Sequence, residues 1–191
     1  NMAPKHILVT GGCGFIGSNF ISYILNQDGN RYHIVNLDSL TYAADTARLK
    51  KFANDHRYQL IEGDICDRSL LENLFQQYQI EAVIHFAAES HVDNSIGDPG
   101  IFMQTNIIGT YTLLDVARKF WLHAPHKLIE PFRDARFLHV STDEVYGTLS
   151  EEGYFSEETC YAPNSPYSAS KASSDMIVRS YFHTYGLPVV T

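Results

Sequence analysis

A doubly wound parallel α/β sheet is the fold this sequence predicts, and three observations predict it. Short apolar runs alternate with stretches of helical periodicity along the chain. The first run, "ILVT", breaks into four glycines within seven residues, Gly11 to Gly17, and a helical pattern follows at once. An acid, Asp38, closes the second run 21 residues past Gly17.

The strands are expected at 5–10, 32–37, 58–62, 81–86 and 135–140, the helices at 15–27, 67–79, 101–123 and 166–185. Ile7-Leu8-Val9 is apolar without alternation, as a strand buried on both faces requires. Phe15, Ile16, Phe20, Ile21 and Ile24 recur at helical spacing. Between them, Gly11 permits a tight turn, Gly14 lets backbone approach a pyrophosphate, and Gly17 lets the helix pack closely on the strand. The helix N-terminus adds free N–H groups and partial positive charge. The spacing is Gly-x-x-Gly-x-x-Gly, so a glycine turn without a nucleotide is the alternative; the flanking strand and helix favour a dinucleotide. Asp38 is either a solvated loop carboxylate or, at this place, the ligand of the adenosine ribose. An acid there repels a 2′-phosphate, which points to NAD rather than NADP.

The third strand ends in "LIEGDICD". Asp64 is placed to accept the adenine amino group and Ile65 to pack on the ring, while Asp67 is placed to cap the helix "DRSLLENLFQQY". After the fourth strand, "VIHFAAESHVDNS", two alanines let backbone approach the central section of a ligand. His85 and His91 have no third partner at metal-binding spacing, and no metal is expected. The fifth strand, "RFLHVSTDEVYG", ends in Ser141-Thr142-Asp143-Glu144. Two adjacent acids there form a solvated turn or, beside the nicotinamide pocket, offer a hydroxyl, an acid and a base to one substrate. In "SPYSASKASSD", Tyr167 and Lys171 share a helix face. Tyrosine is a poor base at neutral pH, and a neighbouring ammonium with a positive nicotinamide favours tyrosinate.

Composition bounds the function. The chain has 191 residues, 45% of them apolar, and reads as one domain. Its net charge of −8 without a basic cluster argues against nucleic acid or an anionic membrane as partner. No run approaches the length of a membrane span, and no signal-peptide core opens the chain. The 3 cysteines are widely spaced and lack a CxxC pair, which suggests a reducing cytoplasm and neither disulfides nor zinc. Asn1 before Met2 reads as the remnant of an expression tag. "TYGLPVVT" carries a helix stop and then the opening of a new strand, so the chain is expected to be the N-terminal part of a longer protein.

The motifs "TGGCGFIGS", "LDSLTYA", "GDICD", "HFAAESHVDNSI", "TNIIGTYTLLD", "STDEVYG" and "PYSASKASSD" resemble the extended short-chain dehydrogenase/reductases, and among them the sugar-nucleotide 4,6-dehydratases. The resemblance implies a Rossmann domain over 1–191, truncated before a C-terminal substrate portion. It implies an NAD site lined by Phe15, Ile16, Asp38, Ser39, Leu40, Thr41, Asp64, Ile65, Phe86, Ala87, Ala88, Glu89, Ser90, Thr105, Tyr167 and Lys171. Ser90 and Thr142 would also touch the sugar of a nucleotide-sugar substrate, dTDP-glucose. The implied catalytic set is Thr142, Asp143, Glu144, Tyr167 and Lys171. Tyr167 takes the C4 hydroxyl proton as hydride leaves, Glu144 removes the C5 proton while Asp143 protonates the departing C6 hydroxyl, and the hydride returns to C6. The resemblance further implies a homodimer through the helices at 101–123 and 166–185, the first carrying Ile107, Ile108, Tyr111, Leu114, Val116 and Ala117. Two alternatives stay open: another dehydratase or an epimerase of the same family, and a non-enzymatic NAD-sensing module.

Overall fold

The computed structural model describes residues 4–27, 29, 31–149 and 153–191. The expectation for Asn1 and Met2 lies outside the described residues. In chain order the elements are β1 (Lys5–Thr10), α1 (Phe15–Gln27), β2 (Tyr32–Asp38), β3 (Tyr58–Glu62), α2 (Arg68–Tyr78), β4 (Ala82–His85), α3 (Val92–Gly97), α4 (Pro99–Phe102), α5 (Thr110–Trp121), β5 (Leu122–Ala124), β6 (Lys127–Leu128), β7 (Arg136–His139), α6 (Pro166–Tyr185) and β8 (Val189–Val190). Six strands pair in parallel in the order β3-β2-β1-β4-β7-β8. The order reverses direction between β1 and β4, which opens a crevice at their carboxyl ends.

Strand period two divides the core. Ile7 and Val9 face one side with Ile21 and Leu25 of α1, and with Leu49 and Phe52 of a 3₁₀ helix, Thr46–Phe52. Leu8 faces the other side, where α2, α5 and α6 contribute Leu71, Phe75, Leu113, Trp121 and Val178. Trp121 is fully buried and donates its indole N–H to the Ile80 carbonyl at 2.7 Å. The expected cap forms: Asp67 accepts from the Leu70 N–H at 3.0 Å. At α6, Ser165 and Ser168 make a reciprocal capping box.

The expected helix at 101–123 is corrected in three ways. It begins earlier, at Pro99, includes a π-helical stretch at Met103–Gly109, and stops at Trp121. Leu122–Ala124 instead turns back in a short antiparallel ladder with Lys127–Leu128, through His126 in the left-handed region. Gly109 sits where an added Cβ would lie 2.5 Å from Ile65, so the π stretch coincides with close approach to the β3 end.

Asp115 on α5 gathers Arg68 at 2.9 Å, Arg118 at 2.8 Å and Lys119 at 3.2 Å, with its side chain 8% exposed. Burial alone would push its carboxyl up, but hydrogen bonds from Arg118, Lys119 and Arg68 prevail and hold it at about 2, against 3.8 unperturbed. A lowered folded pKa stabilises above the unfolded value and is lost as pH falls through the folded one. Asp115→Asn is therefore expected to lose about 1–3 kcal/mol in urea unfolding at neutral pH. The deficit should vanish as pH falls from about 4 towards about 2. A deficit independent of pH would contradict the assignment.

Candidate active site

A cleft of about 610 Å³ opens at the carboxyl ends of the strands, across the point where strand order reverses. Its walls bring together Gly11, Gly14, Phe15, Ile16 and Gly17 from the glycine turn, Asp38, Ser39 and Thr41 after β2, Asp64 and Ile65 after β3, Phe86 to Ser90 after β4, and Thr105, Tyr167 and Lys171 from the helices. Leu40 is the exception. It stands in the left-handed region at φ 53 and contributes its backbone N–H to Asp38 at 2.9 Å, turning the chain rather than walling the cleft.

The glycine turn is built for close approach. Gly11 has φ +70, and a Cβ there would lie 2.6 Å from the Ala87 nitrogen. A Cβ on Gly17 would strike the Gly11 carbonyl, so the helix must come this near. At Gly14 the nearest atom to a Cβ is the Gly11 carbonyl at 3.3 Å; beyond it lies the cleft, so a side chain there would occupy space at the α1 N-terminus. Such a cradle, with free N–H groups above it, fits a pyrophosphate. Asp38 accepts from the Cys13 N–H at 2.8 Å, which ties the acid of β2 to the turn after β1. Burial, with the Asp38 charge, pushes the Cys13 thiol up to about 11 and keeps it protonated.

The opposite wall holds the reactive groups. Lys171 is buried and donates to the Val140 carbonyl at 2.7 Å; burial lowers its pKa to about 8. Tyr167 stands one turn earlier, its ring edge-on to Phe102 at 6.3 Å. The expected activation of the tyrosine includes a bound nicotinamide; in the chain by itself the phenol is shifted the other way. Burial pushes the phenol up, with Glu144, Asp143 and Asp175 adding to it, and only the Thr142 hydrogen bond opposes them. With burial and these carboxylates outweighing the one hydrogen bond, a lowered phenol pKa needs positive charge from a bound ligand.

Thr142 begins a 3₁₀ turn, Asp143–Tyr146, and its hydroxyl accepts from the Glu144 N–H at 3.3 Å. Asp143 and Glu144 are exposed beside Tyr167 and are not among the residues walling the cleft. His85 is no open ligand. Its two nitrogens meet the Thr10 hydroxyl at 2.7 Å and the Thr110 hydroxyl at 2.9 Å. His91 is exposed against the Tyr42 ring.

Among the residues that sequence reasoning missed, two stand out. Arg48 lines the cleft with its guanidinium 5.5 Å from the Phe15 ring centroid, from a 3₁₀ helix that periodicity did not reveal. Asn106 is buried and fastens two walls. It accepts from the Glu89 N–H at 2.9 Å and donates to the Glu89 carbonyl and the Ser170 hydroxyl, each at 2.9 Å. A lone amide inside the apolar run "NIIGTYTLL" was the available signal.

This sheet, crevice and Tyr–Lys helix define an extended short-chain dehydrogenase/reductase. The sequence matches the GDP-mannose 4,6 dehydratase family over residues 8–191, and the chain belongs to that family. It is 53% identical over 184 residues to a dTDP-glucose 4,6-dehydratase of Xanthomonas campestris, covering 96% of this chain and 51% of that protein. The crystal structure of a dTDP-glucose 4,6-dehydratase from Streptomyces venezuelae, solved with NAD, superposes with a TM-score of 0.85 at 43% identity, over 97% of this chain and 54% of that one. The enzyme of the same name from Bacillus anthracis, also in complex with NAD, gives 0.81 at 44% identity, over 97% and 53%. The chain spans about half the length of the relatives it matches. Among the described residues no helix is long and apolar enough to cross a membrane.

Proposed function

We propose that this chain is the NAD-binding half of a dehydratase that converts dTDP-glucose to its 4-keto-6-deoxy product. The observation that carries the reading is the Thr142-Asp143-Glu144 turn standing beside Tyr167, which walls the same cleft as the Gly11–Gly17 turn. When bound, NAD supplies a hydride acceptor at the sugar C4 and a donor at C6. Gly11, Gly14, Phe15, Ile16 and Gly17 hold its pyrophosphate, Asp38, Ser39 and Thr41 the ribose, and Asp64 and Ile65 the adenine. Phe86, Ala87, Ala88, Glu89, Ser90 and Thr105 flank its central section.

Tyr167 takes the proton of the C4 hydroxyl, with Lys171 fixing the strand end behind it. Once C4 is a ketone, the C5 proton is acidic enough for a carboxylate, Glu144, to remove. Asp143 protonates the C6 hydroxyl as it departs as water. Ser90 and Thr142 orient the sugar. The nucleotide half of the substrate is held by a C-terminal portion outside this chain. The unpaired Cys13, Cys66 and Cys160 fit a reducing cytoplasm.

A panel of dTDP-, GDP-, UDP- and CDP-glucose and -mannose given to the full-length protein tests the reading. Turnover with dTDP-glucose well above the rest supports it. A preference for GDP-mannose moves the substrate within the family, and epimerisation without loss of water sinks the dehydratase reading. Reversible NAD binding with no turnover of any sugar would favour a sensing module.

The protein is also proposed to be a twofold dimer. Leu114, Val116 and Ala117 of the long helix are spent in the core. Ile108, Tyr111, Met176 and Phe182 remain 41–50% exposed across α5, the π stretch before it and α6, which leaves apolar surface for a partner helix pair. Sedimentation of the 191-residue chain at micromolar concentration is expected to give a dimer; a clean monomer overturns this.

A further inference from the structure

We propose that Asp175 is a positioning residue of the catalytic centre, one buried carboxylate that holds the β7 end, the loop carrying Tyr161 and the helix carrying Lys171 in a single arrangement. The inference rests on the proposed function for its kinetic part. Its structural part stands on four groups. The Asp175 oxygens accept from His139 at 2.9 Å, from the Ser141 hydroxyl at 2.6 Å and from the Tyr161 hydroxyl at 2.9 Å, and Lys171 lies one helical turn before it.

Each partner belongs to a different part of the site. Ser141 walls the cleft immediately before Thr142-Asp143-Glu144. Tyr161 comes from the loop whose Ala162 N–H bonds the Val145 carbonyl at 3.0 Å, and its ring meets Tyr146 edge-on at 5.4 Å, so the loop braces the turn bearing the two acids. His139 is the last residue of β7, two before Ser141. A carboxylate only accepts, so His139 places its one proton on Nε2. Its Nδ1 is left without a partner. A buried acceptor left unmade is costly, which marks the Asp175 bond as the one the strand end is arranged around.

Charge points the same way. His85 of β4 and His139 of β7 face Lys171, and burial holds both imidazoles below their usual range, neutral at pH 7. Tyr167 on the same helix is an un-ionised phenol, and Asp143 and Glu144 sit on the exposed turn. Among the described residues Asp175 is thus the one negative charge acting on the buried ammonium, and it raises the Lys171 pKa against the burial that lowers it. Removing it should release the Lys171 proton at lower pH and loosen the strand end that Lys171 itself grips through Val140.

Two measurements on full-length Asp175→Asn and Tyr161→Phe proteins test this. Competitive labelling of lysine amines against pH, read at Lys171 by mass spectrometry, needs no turnover. Half-titration is expected at clearly lower pH in Asp175→Asn and unmoved in Tyr161→Phe, which keeps the charge. In steady-state assays kcat should fall about 10- to 100-fold in Asp175→Asn and about 3- to 10-fold in Tyr161→Phe, with KM within about threefold and NAD content unchanged. A Lys171 titration and a kcat both unchanged in folded Asp175→Asn overturn the inference. Should that variant not fold, an unchanged kcat in both Tyr161→Phe and Ser141→Ala overturns it instead. A wild type that turns over no sugar nucleotide counts against the proposed function, and the labelling result then decides the role of Asp175 by itself.

Discussion

Tyr167→Phe in the full-length protein is expected to lower turnover about 10²- to 10⁴-fold while NAD remains bound. In the proposed reaction its hydroxyl takes the C4 proton; the residue is buried on the helix face it shares with Lys171, one turn from that ammonium. Phenylalanine keeps the ring and its packing on Phe102, so neither fold nor cofactor cradle is disturbed. Because burial and the nearby acids push the phenol up in the chain alone, the base is formed only when the ligand brings positive charge. The wild-type rate should therefore rise with pH through a value below that of free tyrosine. Product formation and the NAD content of purified protein are the readouts. Loss of NAD together with activity would mean that Tyr167 serves binding rather than proton transfer.

Gly11→Ala carries the largest expected effect on the fold. The residue sits at φ +70, a region costing a non-glycine roughly 1–2 kcal/mol. Its new Cβ would lie 2.6, 2.7 and 2.9 Å from backbone atoms of Ala87 and Phe86, which cannot rotate away. Overpacking of this kind adds about 1–3 kcal/mol. The melting temperature should drop roughly 5–15 °C, and NAD affinity should fall because the turn and the Ala87 segment form facing walls. Gly29→Ala is the matched control. It shares the positive φ, at +58, but nothing lies within 4 Å of its Cβ, so only the conformational cost remains. Equal losses in the two variants would show that the close approach to Ala87 is not what Gly11 serves.

Much of this architecture was legible because its causes are local. The five expected strands lie within one residue of those observed, since each apolar run is bounded by glycine, proline or charge. The start of α2 and the end of α6 fall where Asp67 and Gly186 place them. The glycine turn was legible for the same reason: Gly11, Gly14 and Gly17 answer backbone needs within one turn. What escaped depends on partners far along the chain. Asn106 reaches Ser170, 64 residues on, and Asp175 reaches back 36 residues to His139. Periodicity carries no trace of such pairs. Leu40 was misplaced because a loop of four consecutive residues does not reveal which one turns the chain. In the chain by itself the Tyr167 phenol is pushed up by burial and by acids that helix spacing does not reveal, so its expected activation rests on the bound nicotinamide.

The most direct measurement gives the full-length protein dTDP-glucose deuterated at C4, with no NAD added. If one bound cofactor takes the hydride and returns it, the product is a 4-keto-6-deoxy sugar carrying deuterium at C6, formed over many turnovers. No product with NAD verified in the site, or product without deuterium at C6, would contradict the account.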